Sequence, residues 1–279
     1  MTVIATAPFG ATGRAVTRVG LGGEGVLRTY GQEREAAEVI ATALEEGITY
    51  FDSARAYSGS EQYLGAAWEA RPQDRAGIFQ TSKSAERNGL AALAELDLTL
   101  ANLGTEYLDL WQIHDVRTLE DIRAIESRGG ALEAFVEAKR SGRVRAIGVT
   151  GHHDPAVLSL AVRNWPVDAV LLPVNPVEAA IGGFLDDTLP AALEKGLAVI
   201  AMKVLGASHY IAPHAGITAS DLIGYALGYP VTLAVVGCST PEHVRTLAAA
   251  KPLPEERRRE IEAVFAPAAG RLAFYRGGV

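Results

Sequence analysis

Eight short apolar runs recur along this chain, each followed by a longer segment with helical periodicity. This alternation limits the possible folds more than any other feature. The runs are RVGLG (18–22), ITYFD (48–52), IFQTSK (78–83), YLDLWQIH (107–114), RAIGVT (145–150), DAVLLPV (168–174), LAVIAMK (197–203) and TLAVVG (232–237). They read as nearly continuous Val/Ile/Leu stretches, the pattern of parallel strands covered on both faces. After the first run, Ala37, Ile40, Ala41 and Leu44 make one apolar helix face, and Gly47 supplies the stop just beyond it. Further on, Asp154 and Pro155 open a helix as N-cap and first helical residue. Units of about 30 residues are the size of a βα repeat. Eight of them favour a closed (β/α)8 barrel over an open doubly wound sheet.

All 279 residues belong to one domain in this reading, because such barrels reach about 250 residues as a single unit and no composition break marks a linker. Residues 1–17 are expected to form a hairpin across the barrel floor. PEERRREIEAVFAPA makes an extra helix before a tail at 271–279. The net charge of −7 argues against a nucleic-acid partner, which would require a basic face. The single cysteine, Cys238, excludes an internal disulfide and any cysteine-rich metal centre. No apolar run approaches the ~18 residues that span a bilayer, and the first residues lack the basic leader of a signal peptide. A cytoplasmic protein without a membrane partner is therefore expected, in an oligomeric state that the sequence leaves open.

In a βα barrel, functional groups gather where strands end. The second run ends on Asp52, and the loop beyond it, FDSARAYSGSE, carries Tyr57. The third run ends at Lys83 and the fourth at His114. Side by side, these four would share one mouth of the barrel. A phenol titrates near ~10 and is a poor acid at neutral pH. An ammonium about 4 Å away contributes about 4 kcal/mol at an effective dielectric near 20, close to a thousandfold in acidity. Lys83 is therefore expected to make Tyr57 a usable proton donor, with Asp52 keeping Lys83 charged and His114 orienting a substrate oxygen. The set suits protonating a carbonyl or deprotonating an alcohol, and it contains no metal ligands. The carbonyl carbon then needs a hydride, which points to a nicotinamide cofactor.

Two other signals are weaker. GLGGEG (20–25) fits G-x-G-x-x-G literally, but the helical pattern opens only near Gln32, too late for a dinucleotide fingerprint. Gly22 and Gly23 are read instead as points where backbone approaches substrate or cofactor. The adjacent histidines of HHD (152–154) point poorly at one ion, so this stretch is read as a turn and helix cap.

FDSARAY, TSK and WQIHD, in that order on consecutive strands, resemble the aldo-keto reductase family. The resemblance continues through RVGLGGEG, RAIGVTGHH, GLAVIAMKVLG and VVGCSTPEHVRTL, across nearly the whole chain. It implies a (β/α)8 barrel that binds NAD(P)H across its C-terminal face, with Asp52, Tyr57, Lys83 and His114 as the catalytic residues. Cofactor contacts are implied at Gly22, Gly23 and Asp52. They are also implied at Thr150, where many members carry Ser-Asn, and at Asn175, standing in for a glutamine. Met202 and Lys203 occupy the place of an aromatic residue that stacks on nicotinamide. In the eighth loop the implied contacts are Gly237, Cys238, Ser239, His243 and Arg245. Members often have a basic residue where Gly237 stands and an arginine near His243, both gripping the 2′-phosphate, so Arg245 is the substitute here. The resemblance favours NADP(H), with NAD(H) as the alternative, no metal, and a small carbonyl compound or sugar as substrate.

Three other functions use the same residues differently. A sugar dehydrogenase would run the reaction in the oxidative direction. A regulatory subunit would bind the cofactor without turnover. A cofactor-free lyase or hydrolase would use the Lys83 amine as a Schiff-base nucleophile. The polar stretch DVRTLEDIRAIESRGG (115–130) reads as a loop bordering an open, hydrophilic site.

Overall fold

A computed structural model describes residues 4–276. Strands β1 (Thr6–Pro8) and β2 (Ala15–Thr17) pair as an antiparallel hairpin. Eight parallel strands then follow: β3 (Val19–Gly25), β4 (Tyr50–Phe51), β5 (Phe79–Ser84), β6 (Leu110–Ile113), β7 (Ile147–Thr150), β8 (Ala169–Pro173), β9 (Ala198–Met202) and β10 (Leu233–Cys238). They pair in chain order, and β10 closes the barrel onto β3. The expected (β/α)8 architecture is thus present, with its N-terminal hairpin; residues 1–3 of that segment lie outside the described residues.

Strand side chains alternate between two apolar layers, as the two-residue period of a strand requires. Tyr50, Phe79, Leu110, Ala169, Ala198 and Leu233 fill the barrel's interior together with Phe9 and Val16 from the hairpin. The Phe9 ring lies 4.5 Å from that of Phe79, so the hairpin plugs the floor. Gly20 makes room for this layer, since a Cβ there would fall 2.6 Å from the Tyr50 ring. The alternate residues, such as Leu21, Phe51, Trp111 and Val149, face outward into the layer of helices. Trp111 stacks flat on Phe135 at 3.5 Å between centroids.

The helices are α1 (Glu33–Glu45), α2 (Ser60–Ala70), α3 (Gly89–Leu103), α4 (Leu119–Glu126), α5 (Ala131–Arg140), α6 (Pro155–Asn164), α7 (Pro176–Ile181), α8 (Leu189–Glu194), α9 (Ala219–Leu227), α10 (Pro241–Ala249), α11 (Glu255–Phe265) and α12 (Ala269–Leu272). Asp154 caps α6 through the Ala156 amide, with Pro155 in the first turn, as expected. Gly47 follows α1 with φ +86°, a left-handed conformation that favours glycine.

Three local expectations change. The buried face of α1 is Ala36, Val39, Ile40 and Ala43, while Ala37 is exposed. Both sets have the i, i+3, i+4, i+7 spacing, and only the neighbouring elements select between them. The stretch 115–130 is not a plain loop: Thr118 and Asp121 form a capping box, and α4 buries Ile122 and Ile125. The extra helix appears as α11, but the expected tail begins inside α12, and residues 277–279 lie outside the described residues. No helix among the described residues is long and apolar enough to cross a membrane.

Candidate active site

The C-terminal ends of β4, β5 and β6 bring Asp52, Lys83 and His114 to one mouth of the barrel. In-register pairing of Lys83 with Gln112 puts Lys83 and His114 on neighbouring strands, both facing inward. Lys83 is fully buried and donates to Asp52 at 2.5 Å and to the Ser53 carbonyl at 2.8 Å. Thr81, two residues before Lys83 on the same face, donates to the other Asp52 oxygen at 2.7 Å. A buried acid and a buried base thus neutralise each other, with further hydrogen bonds satisfying the pair, which is the condition for keeping charge inside a protein.

Tyr57 lies half-buried in the loop after β4. Its ring meets that of His114 edge-on at 5.7 Å between centroids. Lys83 Nζ stands 4.7 Å from the Tyr57 ring centroid, and the Arg28 guanidinium covers the ring at 5.1 Å. Glu24 holds Arg28 through two hydrogen bonds of 2.9 and 3.1 Å.

The electrostatics correct one expectation. Burial pushes the Tyr57 phenol well above its ordinary value; Asp52, Glu24 and Asp115 add to this, and Arg28 opposes it. Lys83 does not deliver the expected drop, because its charge is matched by Asp52 at 2.5 Å. The net field at the phenol is that of an ion pair rather than of a lone ammonium. For His114, burial first and Lys83 second push the imidazole down to about 3. His114 is therefore neutral at ordinary pH, able to donate through one ring nitrogen and accept through the other.

The residue after His114, Asp115, has φ +56°, and its backbone N–H donates to the Thr150 hydroxyl at 2.8 Å. Ser58, Lys203, Ala207 and Ser208 also have positive φ, so five non-glycine residues among those described take this conformation, all in loops that follow β4, β6 or β9. Such conformations cost free energy and persist where the surroundings impose them. The Asp115 carboxylate lies 3.3 Å from His152 Nε2, and His152 Nδ1 lies 3.2 Å from the Tyr275 carbonyl.

The remaining expected site residues are arranged differently. The close approach at Gly22 and Gly23 is to the protein's own backbone: a Cβ at Gly22 would fall 2.9 Å from the Gly237 nitrogen, and one at Gly23 2.8 Å from the Asp52 carbonyl oxygen. Asn175 caps α7, accepting from the Val177 and Glu178 amides, and donates to Tyr275 and to the Lys203 carbonyl. Its polar atoms are thus engaged within the fold. Met202 packs at the top of the interior layer. Gly237 faces Glu24, and Cys238 is a buried thiol pushed up to about 12 by burial. The Ser239 amide lies 3.3 Å from His243 Nδ1, and Thr240 caps α10. Arg245 is exposed beside Glu242 at 3.6 Å and Glu46 at 4.0 Å.

Several site neighbours carried no usable signal in the sequence. Glu24 stands near the end of β3 in a glycine-rich stretch and Arg28 just beyond that strand, and their pairing over Tyr57 depends on the turn Val26–Arg28. Tyr275 and Arg276 come from the far end of the chain to meet the buried Glu178. Glu61, by contrast, is the last residue of the quoted stretch FDSARAYSGSE and lies in the first turn of α2.

A sequence model described as the Aldo/keto reductase family matches residues 18–211. An aldo-keto reductase of Mycobacterium sp. (strain KMS) is 31% identical over 168 residues, which cover 60% of this chain and 55% of that protein. A probable aldo-keto reductase 1 of Glycine max is 27% identical over 218 residues, covering 71% and 58%. The chain thus spans little more than half the length of these curated relatives. Among solved structures, the holo form of an aldo-keto reductase from Bacillus halodurans superposes with a TM-score of 0.77 at 21% identity, covering 94% of this chain and 96% of that one. An aldo/keto reductase from Klebsiella pneumoniae in complex with NADP and acetate gives 0.76 at 23% identity, covering 95% and 96%.

Proposed function

The chain belongs to the aldo-keto reductase family, and on that premise we propose that it interconverts an aldehyde or ketone and an alcohol with a nicotinamide dinucleotide. The observation that carries this reading is the joint placement of Asp52, Lys83, Tyr57 and His114 at one barrel mouth. The cofactor would supply the hydride. Tyr57 would give its proton to the carbonyl oxygen in reduction and recover it in oxidation. His114, neutral and half-facing Tyr57, would hold that oxygen by a hydrogen bond. Lys83 and Asp52 would hold the Tyr57 side of the mouth polar and charge-balanced. As negative charge grows on the oxygen, the cationic ends of the Lys83–Asp52 and Arg28–Glu24 pairs, both against the Tyr57 ring, would stabilise it without moving, which is the preorganised form of electrostatic catalysis.

The residues present fit a dinucleotide. At the ends of β3 and β10, Gly22 and Gly237 let the two strands and Glu24 pack closely, so this part of the rim is built largely from backbone. The nine-residue helix α10 turns its N-terminus towards the same rim, an arrangement suited to a phosphate. NADP(H) is the favoured form, supported by the NADP complex of the Klebsiella protein. Arg245 and His243 would meet a 2′-phosphate, and the exposed carboxylates beside Arg245 hold it only weakly. A cytoplasmic location and a small carbonyl compound or sugar as substrate complete the proposal.

The test is oxidation of NADPH or NADH followed by absorbance with a reactive aromatic aldehyde, alongside Tyr57→Phe. Loss of the proton donor should lower kcat by roughly 10²–10⁴-fold while cofactor binding persists. Wild-type-like turnover in Tyr57→Phe would refute the assigned role. Absence of turnover in both directions, with aldehydes and with sugars, would refute the enzymatic reading and leave the regulatory subunit.

A further inference from the structure

The loop between Asp52 and Glu61 grips strand β5 from both sides. On the inner side of the strand, Asp52 takes hydrogen bonds from Thr81 and Lys83. On the outer side, Glu61, 1% exposed, takes one from Ser82 at 2.7 Å. Strand alternation places Ser82 opposite its two neighbours, so two carboxylates nine residues apart hold one strand between them. Glu61 Oε1 also accepts from Thr99 of α3 at 2.8 Å. Its other oxygen accepts from Asn102 at 3.0 Å and from the guanidinium of Arg55.

Arg55 lies two residues before Tyr57, and its backbone N–H donates to the Lys83 carbonyl at 3.1 Å. Ser53, earlier in the loop, donates to Ser60 at 2.9 Å and accepts from Lys83 through its carbonyl. The loop's tethers thus run to β5 and to Glu61, with one more from the Gly59 amide to the Thr29 carbonyl at 3.0 Å. Ser58, directly after Tyr57, has φ +32°, so the loop is held in a conformation it would not adopt freely. Buried charge is costly unless matched, and Glu61 lies between β5 and α3, on the side of the strand away from the barrel mouth. Its carboxylate needs a reason beyond filling space.

We propose that Glu61 is a positioning residue for Tyr57: through Arg55 it fixes the Tyr57 loop, and through Ser82 it fixes that loop to the strand that carries Lys83. The proposal rests on the catalytic reading of Tyr57 given above. In this arrangement the distance between proton donor and ammonium is set by a carboxylate on the far side of the strand.

The split of partners between the two oxygens makes the test selective. Glu61→Gln can keep the oxygen that accepts from Ser82 and Thr99, but turns an NH2 towards Arg55 and so removes that half of the grip. Arg55→Lys shortens the reach and gives up the planar guanidinium while leaving Glu61 intact. Hydrogen–deuterium exchange of residues 53–59 is the first readout, since it requires no turnover. Both variants should exchange this loop faster than wild type, by more than residues of the barrel core do in the same variant, which separates the local opening from any global loss of stability. The second readout is steady-state kinetics, in which kcat should fall by up to roughly 10²-fold, as misplacement of a reacting group by about 1 Å can cause. KM for the cofactor should stay as in wild type, and the double variant should be no worse than the poorer single one.

Unchanged exchange in Glu61→Gln would overturn the proposal whatever the protein catalyses. Faster exchange with wild-type kcat would also overturn it, by showing that Glu61 serves stability alone. If wild type itself turns nothing over, the catalytic reading fails, and with it the positioning role; faster exchange would then show only that the grip itself exists.

Discussion

The two walls of the barrel mouth are built on opposite principles. The wall of β4, β5 and β6 is a dense polar network in which Asp52, Lys83, Thr81 and Ser53 are bonded to one another at 2.5–2.8 Å. The wall of β9, β10 and the start of α10 is held by packing and weak pairs: Gly237 packed against Glu24, a buried thiol at Cys238, and an exposed Arg245 beside Glu242 and Glu46. The first wall is over-determined, so its groups lose little freedom when a reaction begins. The second ties its exposed arginine down only through weak surface pairs. Chemistry requires fixed geometry, whereas binding a charged, flexible cofactor tolerates adjustment.

Substitutions should expose this contrast, most strongly on the first wall. Lys83→Met leaves Asp52 buried without its cation. Breaking a buried pair from one side costs about 3–5 kcal/mol, so the urea midpoint should fall steeply along with activity. A midpoint within error of wild type would mean that water or another cation reaches Asp52, and that the wall is looser than drawn.

Acid should attack the same wall through His114. Its folded-state value of about 3 lies below the ordinary 6.5, so the unfolded chain binds the proton first. The stability due to the neutral imidazole is therefore present above about pH 6.5 and is lost as pH falls towards 3, by an amount on the order of 4 kcal/mol. His114→Gln, which cannot titrate, should flatten the stability curve between those limits. An identical curve would assign acid sensitivity to other groups.

The second wall should respond least. Arg245→Ala removes an exposed side chain whose ion pairs contribute no more than about 0.5 kcal/mol. Melting should be unchanged, while KM for NADPH should rise several-fold and KM for NADH should stay constant. Equal effects on both cofactors would sharpen the comparison differently, showing that Arg245 shapes α10 rather than meeting a phosphate.

Much of the first wall was legible in the sequence. Asp52, Lys83 and His114 stand at strand ends, and the periodicity that marks those strands also fixes which way the side chains face. The second wall was less so. Asn175 was expected beside the cofactor, yet its side chain caps α7 and bonds Tyr275, a residue 100 positions away. Arg245 is equally uninformative in sequence, because its carboxylate neighbours come from α10 itself and from the distant Glu46. The stretch 115–130 was read by its polarity, while its helix depends on one reciprocal cap and two buried isoleucines.

The sequence by itself determined the number of βα units, favoured a closed barrel over an open sheet, and put Asp52, Lys83 and His114 at strand ends with Tyr57 in the loop after Asp52. All of these follow from local periods, caps and strand ends, which act over a few residues. Only the tertiary structure decided the direction in which Tyr57 is pushed, the pairing of Arg28 with Glu24 above it, and the grip of Glu61 behind it. Those depend on burial and on charges brought together from separate strands and helices. Electrostatic interaction follows distance in space, and the chain alone specifies distance only along itself.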